Sequence, residues 1–218
     1  MATESNRRRR RQTAVDQSAI IRVAARLFRR NGYDSTTMQD IAEELGILKG
    51  SLYHHIDSKE QLLITILEAS VTDVNKAVDE VARSALPARA KLRELIRIQL
   101  LTMIRHQDEI LIWLSERGRN PALDERIEPE ARQADHKLRD VLEEGAAAGN
   151  WPITHLGLAY QAIRGMMAWV PAWYEPTGRQ SADQIAEVFS DYALRLLGNP
   201  TTQERKPAAG QKRARGKD

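Results

Sequence analysis

The chain has no cysteine in 218 residues. That excludes a disulfide framework, a thiol nucleophile and any thiolate metal site. No apolar run approaches the roughly 20 residues that span a bilayer, so no membrane partner is expected. The arginine-rich start is not followed by an apolar signal core, and the expected location is therefore cytoplasmic. Strict alternation of apolar and polar residues is absent, and so is any repeat of fixed period. The five histidines do not converge: His54 and His55 are adjacent, while His106, His136 and His155 are scattered. No metal-ligand spacing, nucleophile elbow or phosphate loop occurs. The expectation is no metal, no cofactor and no enzymatic activity.

A large excess of one sign of charge is also missing, since 33 Lys/Arg stand against 30 Asp/Glu for a formal net charge of +3. Its placement is uneven. Residues 1–60 hold 11 Lys/Arg against 8 Asp/Glu, and residues 204–218 hold 6 against 2, which leaves the body acidic. Basic ends on an acidic body suit contact with a polyanion. The arm 1–12 contains five consecutive arginines, and the tail 199–218 is polar and rich in Pro, Gly, Lys and Arg. Neither has apolar residues enough to fold onto a core, so both are expected to be disordered.

What remains reads as helix throughout. With 42% apolar residues the chain has material for a packed core. Ile20, Ile21, Ala24, Leu27 and Phe28 give an amphipathic helix over 13–31, with Asp16 as N-cap and Asn31-Gly32 as stop. Thr36 or Thr37 caps a short helix through Ile41, Ala42 and Leu45, and Gly46 sits at a reversal that needs positive φ. Residues 49–55 form the next helix, with Leu52 and Ile56 inward and Lys49, Gly50, Ser51, Tyr53 and His54 outward. Ser58 or Asp57 then caps a helix running to about residue 83. Further helices are expected over 91–106, 109–118, a long polar-faced segment to about 148, 155–170 and from Ser181 to about 197. The fold class is therefore all-α, of about nine helices.

The order of two short helices across a glycine turn, the second with small and polar outer residues, is that of a helix-turn-helix whose second helix enters a DNA major groove. The segment TTMQDIAEELGILKGSLYHHIDSKE resembles the TetR family of bacterial transcriptional regulators. Phe28, Gly32, Asp40-Ile41-Ala42, Lys49-Gly50, Leu52-Tyr53-His54-His55 and Ser58-Lys59-Glu60 carry the likeness over residues 13–65. Ile56 stands where an aromatic residue is commoner, and Leu48 where a polar one is usual.

The resemblance implies a basic arm (1–12), a three-helix DNA-binding domain (13–60), an effector-binding and dimerisation domain (61–198) and a basic tail (199–218). It implies a homodimer, paired through the last two helices, on a palindromic double-stranded DNA operator. Residues implied to contact DNA are Thr36, Thr37, Lys49, Gly50, Ser51, Tyr53, His54 and Lys59. All four tryptophans lie between 113 and 173. Trp113, Met167, Trp169 and Trp173 are candidates to line an apolar effector pocket. Arg164, in an otherwise apolar helix, needs an acidic side chain or an anionic ligand group as partner. Ile163-Arg164 and Trp173-Tyr174, with GILKGSLYHH, are similar to actinobacterial repressors of steroid and lipid breakdown that sense CoA thioesters. The expected function is a repressor released by a hydrophobic or acyl-CoA-like molecule. The alternative is a regulator without a small-molecule effector, controlled by a protein partner or by abundance.

Overall fold

The computed structural model describes residues 16–198, so the basic arm 1–12 and the tail 199–218 lie outside the described residues. Within them the chain forms eleven helical segments and no strand. These are α1 (Gln17–Asn31), α2 (Met38–Glu44), α3 (Lys49–Tyr53), α4 (Lys59–Ala82), α5 (Ala88–Arg105), α6 (Gln107–Glu116), α7 (Pro121–Arg126), α8 (Glu128–Ala147), α9 (Leu156–Ala168), α10 (Val170–Trp173) and α11 (Ala182–Leu196).

The caps expected from local chemistry are in place. The Asp16 carboxylate accepts from the Ser18 N–H, and the Ser58 and Ser181 hydroxyls accept from the Gln61 and Gln184 N–H groups. Thr37 rather than Thr36 caps α2. Its hydroxyl accepts from the Asp40 N–H, while the Asp40 carboxylate accepts from the Thr37 N–H at 2.8 Å. Each such cap is worth about 1 kcal/mol.

Proline accounts for the two helices more than periodicity suggests. The polar segment after Asn120 divides at Ile127 because Pro129 lacks an N–H and is tolerated only in a first turn. Pro171 likewise ends α9 at Trp169 and starts the four-residue α10.

Two apolar clusters hold the molecule together. One joins α1–α3 to the first two turns of α4, and takes in Ile112 of α6, Leu123 of α7 and Ile127. It therefore continues across residue 60, through Leu62, Leu63, Ile66 and Leu67. The other fills the body among α4, α5, α8, α9 and α11. Trp151 is 2% exposed there, and its indole N–H donates to the Leu142 carbonyl at 3.1 Å. Its ring occupies the place a side chain on Gly145 would need. Arg93 of α5 reaches Glu187 and Asp191 of α11, and Lys137 of α8 reaches Asp79 of α4. These pairs are partly exposed and contribute little beside the buried area.

No helix among the described residues is long and apolar enough to cross a membrane. No group of three or more acidic or histidine side chains there could hold a metal ion.

Candidate functional site

The helix-turn-helix is built from its buried side outward. Ile41 and Ala42 of α2 and Leu52 of α3 are completely buried, and Ile56 is 4% exposed. Gly46 turns the chain between the helices with φ of 68°, a left-handed conformation that costs glycine little. The Ile47 N–H closes this turn on the Ala42 carbonyl at 3.0 Å. With Leu52 as its apolar anchor, α3 leaves Leu48, Lys49, Gly50, Tyr53 and His54 exposed and Ser51 half-exposed. The helix ends at Tyr53, so His54 lies in its C-cap rather than in the helix body.

Gly50 has ordinary helical geometry, and a Cβ there would meet no protein atom within 4 Å. Glycine costs about 1 kcal/mol relative to alanine inside a helix. The surface beside α3 is open at this position.

Two of the expected DNA-contacting residues are turned inward. Thr36 is completely buried, and its hydroxyl lies 2.8 Å from the Gly32 carbonyl and 3.3 Å from the Leu27 carbonyl. It holds the end of α1 to the start of α2 and presents nothing to solvent. The Lys59 ammonium donates to the carbonyls of Tyr33, Asp34 and Thr36 at 2.9, 3.3 and 3.1 Å, and lies 4.3 Å from the centre of the Tyr33 ring. All three of its donors are spent on the loop before α2, which it ties to α4. Thr37 is exposed, but Asp40 already engages its hydroxyl.

In the body a cavity of about 130 Å³ opens between α4, α5, α6, α8 and α9. Trp113, Arg164 and Met167 line it. Arg164 has found an internal partner, since its Nε donates to the Asp135 carboxylate at 2.9 Å. Trp169 and Trp173 do not line the cavity. Trp169 is 68% exposed, while Trp173 is 42% exposed and packs its ring on Phe189 at 6.1 Å.

Through Phe189, Trp173 adjoins an exposed apolar side of α11. Val188, Tyr192 and Leu196 recur every fourth residue along α11, so they share one side of it, and Leu158 of α9 is 70% exposed. The polar cavity residues Asn75, Gln99 and Asp135 had no role from sequence. The available signal was Gln99, a polar residue at an apolar-face position of α5; Asp135 has no such mark.

Helix α6 links the two regions. Ile110, Trp113 and Leu114 face the cavity, and Ile112 sits in the cluster around α1. At the start of α6, His106 lies between Glu109, 4.0 Å from Nδ1, and Asp73 of α4, 3.0 Å from Nε2. Glu109 and Asp73 together raise the imidazole pKa against the opposing effect of burial. A raised folded pKa means the stabilisation is complete below the unfolded value of about 6.5 and is lost as pH climbs through the folded one. Urea unfolding is therefore expected to show a higher midpoint at pH 6 than at pH 8, with the difference reduced in His106→Asn. An unchanged difference in that variant would remove His106 as its source.

The comparisons with known proteins agree with this architecture. Residues 20–66 match the family described as bacterial regulatory proteins, tetR family, and residues 85–197 match the tetracyclin repressor-like C-terminal domain. The HTH-type transcriptional repressor KstR2 of Mycolicibacterium smegmatis is 30% identical over 197 residues, 88% of this chain and 94% of the relative. The structure of the ketosteroid transcriptional regulator KstR2 of Mycobacterium tuberculosis matches with a TM-score of 0.75 at 25% identity, covering 84% of this chain and 95% of that one. AibR, solved in complex with isovaleryl coenzyme A and operator DNA, matches with a TM-score of 0.71 at 27% identity, covering 81% and 96%. From its helix-turn-helix to its last helix, the chain belongs to the TetR family of DNA-binding transcriptional regulators.

Proposed function

We propose that the protein is a homodimeric repressor, released from a palindromic operator when a largely apolar small molecule enters the cavity beside α6. Two copies pair through the exposed face of α9, α10 and α11, which contains Leu158, Trp169, Val188, Tyr192 and Leu196. Pairing presents two copies of α3 to successive major grooves. Lys49, Gly50, Ser51, Tyr53 and His54 meet bases or phosphates there, with Thr37 at the edge.

The observation that carries the effector reading is the position of α6, with cavity wall on one side and the α1 cluster on the other. A cavity of about 130 Å³ is the size that holds a single small ring. A larger effector, including the acyl portion of a thioester such as the one bound to AibR, must push its walls apart. That displacement supplies the differential affinity for two arrangements without which no ligand shifts an equilibrium. Moving α6 moves α1, and with it the spacing of the two α3 helices.

The test begins with selection of bound DNA from a random pool. Candidate apolar and acyl-CoA ligands are then titrated against the protein–operator complex. A palindromic site and its release by at least one ligand are expected. Tight palindrome binding that no ligand reverses would overturn the effector and leave a regulator controlled by other means.

A further inference from the structure

Among the described residues, four buried side-chain polar atoms lack a hydrogen-bond partner, and three of them belong to residues lining the cavity. They are the Gln99 Oε1, the Asn75 Oδ1 and the Trp113 Nε1. A buried polar group without a partner costs about 1–3 kcal/mol, so three around one cavity call for an explanation. Gln99 is only 7% exposed and sits among Leu95, Ile96 and Leu100 in the inner side of α5. The Asn75 amide is oriented by its Nδ2, which donates to the Glu130 carbonyl at 2.9 Å and leaves Oδ1 as an acceptor. The Trp113 ring is held by the Arg117 guanidinium, 4.9 Å from its centre. The Gln99 amide, the Asn75 carbonyl oxygen and the Trp113 indole N–H are thus left over in a largely apolar chamber.

Charge narrows the complement. Two cations line the cavity: Arg164 is paired with Asp135 at 2.9 Å, and Arg117 is exposed, with its guanidinium on the Trp113 ring. A carboxylate or phosphate placed beside Arg164 would have to break its pair with Asp135, and would meet the Asn75 carbonyl oxygen, which repels it. A bare hydrocarbon would leave all three groups unpaired. A hydroxyl donates one hydrogen bond and accepts others.

We infer that the cavity takes an uncharged ring bearing a hydroxyl, the hydroxyl donating to the Gln99 or Asn75 side-chain carbonyl and accepting from the Trp113 indole N–H. This deepens the effector reading above and rests on it: the hydroxylated end of the effector is the buried end, and any charged portion lies outside.

The experiment uses the full chain without DNA and three probes matched in ring size: phenol, benzene and benzoate. Binding is followed by calorimetry and by the indole N–H resonance of Trp113, assigned with Trp113→Phe. Phenol is expected to bind at least about tenfold more tightly than benzene, given one or two net hydrogen bonds, and to shift the Trp113 resonance. Benzoate is expected to bind most weakly. Gln99→Leu keeps the side chain's bulk and is expected to fold at least as stably while losing most of the preference for phenol. Equal binding of phenol and benzene, tighter binding of benzoate, or binding of none of the three overturns the inference. Hydroxyl preference without any release of operator DNA would uphold this site while defeating the effector reading, so the two failures are separable.

Discussion

Lys49→Ala is expected to weaken operator binding by roughly 30-fold to 10⁴-fold while leaving thermal stability unchanged. Lys49 is exposed in the first turn of α3, and its nearest recorded partner is the ring of Tyr53, 6.0 Å away. Little of the fold therefore depends on it. A lysine or arginine contact to a base or phosphate is worth about 1–3 kcal/mol, and a two-fold dimer loses it twice, for about 2–6 kcal/mol in all. Electrophoretic mobility shift across a salt series checks this. The salt dependence of the remaining affinity should also be shallower, since fewer counterions are released. Unaltered affinity and salt slope would mean that α3 does not present this face to DNA. The contrast with Thr36 and Lys59 is built into the structure, because their polar atoms are spent within the protein. Replacing either should cost stability first.

Trp151→Ala is expected to destabilise the body by about 3–5 kcal/mol, the usual range for removing a buried large aromatic. For a chain of this size that corresponds to a fall in Tm of roughly 6–20 °C. Trp151 is 2% exposed, fills the notch over Gly145 and donates its indole N–H to the Leu142 carbonyl. It thereby fastens the loop after α8 back onto α8. The reciprocal change, Gly145→Val, forces a side chain into the ring and should be destabilising as well, through overpacking rather than a cavity. Differential scanning calorimetry distinguishes the two through their unfolding enthalpies. A fall of under 2 °C for Trp151→Ala would mean the site collapses around the lost ring. At temperatures where Trp151→Ala remains folded, operator affinity should persist, because the α3 surface belongs to the other apolar cluster.

Much of the helix-turn-helix was legible because its determinants are close in sequence. The Thr37–Asp40 capping box, the Gly46 reversal and the Leu52/Ile56 spacing each involve residues within four positions of one another. The exposed side of α3 follows directly from which residues that spacing buries. The cavity beside α6 was legible only in part. Trp113, Arg164 and Met167 line it, yet Trp169 and Trp173, named because the tryptophans cluster in this half of the chain, lie outside it. Clustering in sequence records how many rings are near, and not which of them the packing of the helices turns inward.

Helical periodicity, caps and turn glycines were enough for an all-helical fold with a helix-turn-helix near its start, and the resemblance of that segment to the TetR family implied a regulator. These rest on interactions within one or two turns, which the order of residues dictates. Long-range packing alone decided which polar groups became internal. Lys59 closes on carbonyls 23 to 26 residues before it, Arg164 finds Asp135 on another helix, and α6 shares its faces between a cavity and the α1 cluster. Such partners meet because buried area brings distant helices together, and no local pattern records which of them will touch.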